Sequence, residues 1–357
     1  MPTVVLLDRS LSMRRPAGGG GSGNSSNKKD NSDEDEEETL HSLACKGLEW
    51  FFSYMHEYYS LEYTSLFSFS SECEILVPFT RDYDQLKEKL TDLPVQDRTD
   101  LGSALVSMVD LIVAEWGSFA PCQIIVVTDG SPGVRHQDAA QRKPTTNIPF
   151  SYQLHVVCVA TREELARPLW ASKMQKLCDT TGLSPAEIHV PNGPLTADSV
   201  IGAFAQLAKN SFRPYLGTLR CGHLHSQVSL SPSPYMHKPK FDISIGPDHK
   251  FPKLDESFGA MKYPQELRIC GFLDTSCLSA PPHYARHFVL DPEMDEKAYD
   301  ARLTRLAEGR NAISGGGRTK SESEASSLQE ESQKPSFRVL LHGSLKCESK
   351  AALIKLG

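Results

Sequence analysis

Three short polar motifs have the residue types and spacing of a divalent-cation site. Asp8, Ser10 and Ser12 alternate directly after an apolar stretch, so a loop leaving a strand would place them on one side. Thr99 precedes a helical pattern, and Asp129 follows a second apolar stretch. Carboxylate and hydroxyl oxygens are hard ligands that suit Mg²⁺ or Mn²⁺, with water completing the coordination. These five residues are therefore the predicted metal ligands.

Each motif also has an ordinary structural explanation. An Asp-x-Ser-x-Ser sequence occurs by chance, Asp129-Gly130 is typical of a strand-ending turn, and Thr99 could simply cap a helix. The order of the three motifs along the chain favours a shared site. In an open α/β sheet, the crevice lies beyond the carboxyl ends of the strands, where the strand order reverses.

The elements that must position these residues alternate between strand and helix through residues 1–211. This alternation predicts a doubly wound parallel α/β sheet. Pro78 indicates that the strand containing it lies at an edge. The predicted strands are 4–7, 62–69, 74–79, 123–127, 154–159 and 187–190, and the predicted helices are 40–58, 83–93, 101–116, 163–181 and 197–210.

Residues 212–357 have a different pattern, with short apolar segments between Pro- and Gly-rich turns. We expect an all-β, barrel-like second domain here. The sequence ends inside a strand-like segment at 353–357, so we expect this barrel to be incomplete, because barrels rarely end on an open edge. The predicted strands are 215–224, 227–230, 266–273, 287–290 and 337–345.

Two low-complexity segments interrupt the domains. Residues 14–38 combine glycine and serine with an acidic run, and residues 309–335 combine glycines with Ser/Glu repeats. Such segments cannot bury an apolar face, so both are predicted disordered insertions. The first could also contact a basic partner, although a solvated loop is the simpler interpretation.

Composition indicates an intracellular globular protein. The 357 residues carry a formal net charge of -7, and the nine cysteines form no Cys-x-x-Cys motif. Scattered cysteines within apolar segments are typical of reduced proteins of the cytosol or nucleus. Residues 213–357 show no basic stripe, so we expect weak nucleic-acid binding by the chain alone. A nucleic-acid site shared with a partner subunit is the alternative.

The sequence lacks the usual catalytic arrangements. Position 10 is serine, whereas a haloacid-dehalogenase-type phosphotransferase needs a second carboxylate two residues after its nucleophile. Gly18–Gly21 lies in low-complexity sequence rather than after a strand, so it is no phosphate loop. Cys221, His223 and His225 alternate and could bind zinc, but no second ligand cluster completes such a site, which favours an ordinary strand. We predict that the chain is not an enzyme.

The cation motifs resemble the metal-ion-dependent adhesion site of the von Willebrand factor A domain family. The resemblance implies direct coordination by Ser10, Ser12 and Thr99, and contacts through water by Asp8 and Asp129. It also implies an open position for an acidic residue of a partner. Arg9 departs from the family pattern, since a positive charge there weakens cation binding unless the side chain points outward. The acidic insertion after Met13 is a second departure.

Other segments resemble a family of A-domain subunits of the nuclear Integrator complex. They are Met1-Pro2-Thr3-Val4-Val5 and residues 77–83, 219–224 and 340–346. This resemblance implies a nuclear scaffold whose A domain precedes a β-barrel, as in the Ku proteins, and whose further helical region is absent here. It implies pairing with Integrator subunits 13 and 10, in RNA polymerase II attenuation or termination and small nuclear RNA 3′-end processing. The alternative is an adhesion-type or chaperone-type A-domain receptor unrelated to transcription.

Overall fold

The computed structural model forms two compact units. They comprise residues 1–210 with 301–312, and residues 211–300 with 313–357. Among the described residues, no helix is both long and apolar enough to cross a membrane. The structure describes residues 2–17, 38–91, 93–96, 99, 101–118, 120–130, 148–150, 152–167, 187–234, 264–277, 287–292, 296–307 and 337–355.

The first unit contains a six-stranded sheet in the order β3-β2-β1-β4-β5-β6. All neighbouring pairs are parallel except β2 and β3, which are antiparallel. The predicted doubly wound α/β fold is confirmed, and the strand containing Pro78 lies at an edge as expected. The strands are β1 (Thr3–Asp8), β2 (Thr64–Phe69), β3 (Cys73–Thr80), β4 (Cys122–Thr128), β5 (Tyr152–Cys158) and β6 (Glu187–His189).

Five helices accompany this sheet in the described part of the unit. The helix predicted at 83–93 ends earlier, and most of the one predicted at 163–181 lies outside the described residues. The helices are α1 (Leu40–Tyr58), α2 (Tyr83–Glu88), α3 (Leu101–Trp116), α4 (Arg162–Leu165) and α5 (Ala197–Ser211).

The centre of the sheet is apolar and covered on both faces. Every residue of β1 is buried, as expected of a strand between two parallel neighbours. Val4 and Leu6 belong to one core cluster with Met108 and Ile112 of α3. Leu7 of β1 is in register with Val127 of β4, so the carboxyl ends of these two strands lie side by side above this core.

The second unit contains a five-stranded sheet in the order β10-β8-β7-β9-β11. Most neighbours are antiparallel, and β7 and β9 are parallel. Helix α7 (Phe337–Cys347) also belongs to this unit, whereas the residues of α6 (Glu296–Ala307), which the sequence did not indicate, are divided between the two units. The strands are β7 (Tyr215–Cys221), β8 (Leu224–Ser231), β9 (Glu266–Asp274), β10 (Phe288–Leu290) and β11 (Lys350–Lys355).

The strand predicted at 337–345 is wrong, because this segment forms α7. Phe337 and Leu341 are one helical turn apart and both pack against the core cluster of the second unit. The apolar residues therefore follow a helical period, which a short segment does not distinguish from a strand. The second predicted insertion, 309–335, lies outside the described residues. The same is true of residues 18–37, which form most of the first predicted insertion, 14–38.

Candidate metal centre

The loop after β1 places Asp8 and Ser10 against each other. The Ser10 backbone N–H donates to Asp8 Oδ1 at 2.8 Å, which turns the chain sharply at the end of the strand. A 3₁₀ helix, Leu11–Arg14, follows and buries Met13 beneath it. The hydroxyls of Ser10 and Ser12 lie 3.1 Å apart. The spacing of two therefore places these three polar side chains together, as predicted.

The residues after β4 complete this cluster. Thr128 Oγ1 donates to Asp8 Oδ2 at 2.6 Å, and Ser12 Oγ donates to Asp129 Oδ1 at 3.1 Å. The backbone N–H of Gly130 donates to Thr128 Oγ1 at 3.0 Å and holds the following turn. Four of the predicted ligands thus share one hydrogen-bonded network at the crevice between β1 and β4.

Thr99 is half-buried and lies two residues before α3. The described contacts do not join it to the other four residues. They do tie the segment that leads to it to the loop after β1, because the Gln96 N–H donates to the carbonyl of Arg9 at 2.7 Å. The side chain of Gln96 also accepts a hydrogen bond from Ser70. Thr99 as a ligand stays a prediction.

Two carboxylates lie close together in a buried environment. Asp8 is fully buried and Asp129 is 1% exposed. Burial raises the pKa of Asp8; hydrogen bonds from Thr128 and Ser10 oppose that shift, and the charge of Asp129 adds to it. A divalent cation would offset the paired negative charge, and the oxygen donors present fit Mg²⁺ or Mn²⁺.

Arg9 does not point toward this cluster. Its guanidinium is buried, and Nη2 contacts Glu74 Oε2 on β3 at 2.8 Å. The positive charge at the cluster comes instead from Arg15, which lies in segment 14–38, predicted to be disordered, but is held by two ion pairs. Arg15 Nη2 lies 3.1 Å from Asp129 Oδ2, and Nη1 lies 3.0 Å from Glu164 Oε1. A guanidinium therefore neutralises one carboxylate of the candidate metal centre.

This contact predicts that Arg15→Gln strengthens Mg²⁺ binding. Removing a positive charge that touches Asp129 should lower the Mg²⁺ dissociation constant about fivefold, equivalent to about 1 kcal/mol for a partly exposed pair. Arg14→Gln is the matched control, because Arg14 is exposed and one residue away. Isothermal titration with Mg²⁺ measures both variants. Equal affinities for the two variants would show that the Arg15 contact does not compete with the cation.

Known families match both parts of the chain. Residues 3–131 match the model of the von Willebrand factor type A domain, and residues 212–357 match the model described as Integrator complex subunit 14, beta-barrel domain. Integrator complex subunit 14 of Homo sapiens is 34% identical over 368 residues, covering 100% of this chain and 64% of the human protein. This chain is therefore similar to Integrator complex subunit 14 along its whole length.

Integrator complex subunit 14 from a more distant organism is also similar to this chain. Integrator complex subunit 14 of Drosophila melanogaster is 25% identical over 416 residues, covering 100% of this chain and 68% of its own length. The chain spans less than two thirds of the human protein it matches. Among solved structures, the von Willebrand A domain of SpRpn10 is similar with a TM-score of 0.38 and 16% identity, covering 57% of this chain and 94% of that one.

The two family models and the structure together describe the chain as an A domain followed by a barrel domain. The expected two-part fold is thus confirmed. Cys221, His223 and His225, the weaker zinc candidates, lie at the β7–β8 hairpin, where Cys221 is half-buried and both histidines are exposed. That arrangement favours the ordinary hairpin over a zinc site.

Proposed function

We propose that the chain is a noncatalytic interaction subunit of a nuclear Integrator complex. The observation that supports this is identity of 34% to human Integrator complex subunit 14 across all of the chain, including both domains in the same order. In this proposal the chain pairs with Integrator subunits 13 and 10. The assembly acts in RNA polymerase II attenuation or termination and in small nuclear RNA 3′-end processing.

The proposal includes Mg²⁺ or Mn²⁺ as the cofactor of the A domain. The cation would be held by Asp8, Ser10, Ser12, Thr99 and Asp129. All of these residues except Thr99 share one hydrogen-bonded network. When bound, the cation would supply an open coordination position for a carboxylate of a partner. Leu11, which is 54% exposed, offers apolar surface next to that position.

Recovery of complex subunits from nuclear extract tests this proposal. We expect the tagged chain to retain Integrator subunits 13 and 10 well above the level retained by an unrelated tagged A domain. Identification of those two subunits by mass spectrometry is the readout. Recovery of neither subunit by a folded bait would overturn the proposal and would favour the adhesion-type or chaperone-type alternative.

The geometry also predicts an absence of turnover. Both oxygens of Asp8 are engaged by Ser10 and Thr128, and no second carboxylate stands at position 10 to act as a general acid. Purified chain with Mg²⁺ should hydrolyse neither an aryl phosphate nor single-stranded RNA above the buffer rate. Turnover that Asp8→Ala abolishes would contradict the noncatalytic assignment.

A further inference from the structure

A cluster of two histidines and a glutamate lies at the β5–β6 edge of the A-domain sheet, away from the candidate metal centre. His155 lies on β5, and Glu187 and His189 lie on β6. His155 is in register with Glu187, and residues two apart on a strand share a face. All three side chains therefore project from the same face of the sheet. We call these residues the edge cluster.

The edge cluster is separate from Asp8. His155 is in register with Ile125, and Ile125 is in register with Val5. Asp8 therefore lies three residues further along the strand direction, which is roughly 10 Å at the usual rise per residue. It also lies on the second strand from His155, because β4 separates β1 from β5.

The three candidate ligand atoms surround a common point. Glu187 Oε2 lies 3.8 Å from His155 Nδ1 and 3.8 Å from His189 Nε2. One ligand atom from each residue lies within 4.8 Å of the other two. These separations are long for hydrogen bonds. Two ligand atoms on a tetrahedral zinc ion, each about 2.1 Å from it, lie roughly 3.4 Å apart. The two Glu187–histidine separations exceed that spacing by about 0.4 Å, and the separation of the two histidine nitrogens exceeds it by at most about 1.4 Å.

Hydrogen bonds fix His155 in the form that a metal needs. Gln123 Nε2 donates to Gln153 Oε1 at 2.7 Å, which leaves Gln123 Oε1 as the acceptor for His155 Nε2, also at 2.7 Å. His155 therefore carries its proton on Nε2, and the lone pair of Nδ1 faces Glu187. Metal-binding histidines usually donate their second N–H to such an oxygen acceptor.

His189 has an unused buried nitrogen. It is 4% exposed, and its Nε2 has no hydrogen-bond partner among the described residues. Burial lowers the pKa of His189, and Glu187 acts in the opposite direction. The Glu187 side chain is 41% exposed and gives the cluster access to solvent. An unsatisfied imidazole nitrogen thus points toward a reachable carboxylate.

We propose that His155, Glu187 and His189 bind one Zn²⁺ ion, with water in a fourth position. Two imidazoles and one carboxylate suit zinc better than Mg²⁺, which prefers oxygen ligands alone. Because β6 has only three residues and forms the sheet edge, the ion would fasten this short strand to β5. The role is structural, and it does not depend on the proposed function of the chain.

Titration of the full chain with Zn²⁺ tests the proposal. After chelator treatment, and in reducing buffer with excess Mg²⁺, wild type should bind one Zn²⁺ that Glu187→Gln weakens at least tenfold. Glu163→Gln is the matched control, because Glu163 is exposed on α4 and the charge change is the same. That control should bind as wild type does. His225→Ala should also retain the ion, because His225 lies in the second unit.

Two further variants separate the possible outcomes. His189→Gln should lose the ion, and circular dichroism without zinc verifies that this variant and Glu187→Gln remain folded. Asp8→Asn should bind Zn²⁺ normally, which separates this site from the candidate metal centre. Co²⁺ bound to wild type should show the visible absorption of four-coordinate cobalt, and Glu187→Gln should not. Unchanged zinc affinity in folded Glu187→Gln and His189→Gln, or no binding by wild type, would overturn the proposal.

Discussion

Asp8→Asn should abolish the Mg²⁺-dependent rise in melting temperature while leaving the cation-free chain about as stable as wild type. The amide keeps an oxygen for the Ser10 N–H, and its NH₂ can donate to Thr128 Oγ1 in place of the present bond. That hydroxyl can accept this bond and the Gly130 N–H together. The Thr128 hydroxyl loses its carboxylate acceptor, but the substitution also removes a buried charge beside Asp129, and these two effects offset each other while the anionic ligand is lost.

The expected size of this effect follows from linkage. Mg²⁺ at about 100 times its dissociation constant stabilises the wild-type fold by about 2.7 kcal/mol. For a unit of this size that corresponds to a rise in melting temperature of roughly 5–10 °C. Asp110→Asn on the exposed face of α3 is the control with the same charge change, and it should keep the full rise. A rise in Asp8→Asn equal to that of the control would exclude Asp8 from the cation site.

Gly47→Val should destabilise the A domain more than any surface substitution. A Cβ atom at position 47 would lie 2.5 Å from Phe204 Cε2 and 2.9 Å from Val200 Cγ1. Phe204 is fully buried in α5 and contacts Phe51, so it cannot move freely away. The close approach of α1 and α5 therefore requires glycine. Overpacking of this severity costs about 3 kcal/mol, or roughly 6–12 °C in melting temperature.

Ser53→Val is the matched control for this prediction. It introduces the same side chain on the exposed face of the same helix. Exposed valine changes helix stability by only a few tenths of a kcal/mol. Thermal unfolding followed by circular dichroism compares the two variants. Melting temperatures within 2 °C of each other, about the shift expected from under 1 kcal/mol, would contradict the close helix packing.

The α/β fold and much of the candidate site follow from local sequence. Continuous apolar segments end directly at Asp8 and at Asp129, and parallel strands bring such ends to one edge of the sheet. The side-by-side register of β1 and β4 then determines that Ser12 reaches Asp129. The predicted and observed bounds of helix α1 agree, because its apolar spacing is long and regular.

Features that depend on tertiary contacts could not be predicted from the sequence. Arg15 contacts Asp129 only because the 3₁₀ helix turns the chain back over the site, and its neighbouring sequence resembles a flexible segment. The edge cluster forms only because His155 of β5 is in register with Glu187 of β6. The two residues are separated by 31 others, so local sequence does not determine this register. Segment 337–347 is helical because Phe337 and Leu341 pack against the sheet of the second unit, which outweighs local strand propensity.

Direct binding between the purified chain and purified Integrator subunits 13 and 10 tests the central claim, that this chain is an interaction subunit. Size-exclusion chromatography of the mixtures, with Mg²⁺ present, shows whether a complex elutes. We expect the chain to elute with subunit 13 or subunit 10 as a complex of defined stoichiometry, and an unrelated tagged A domain to elute separately. Separate elution of a correctly folded chain from both subunits would contradict the claim.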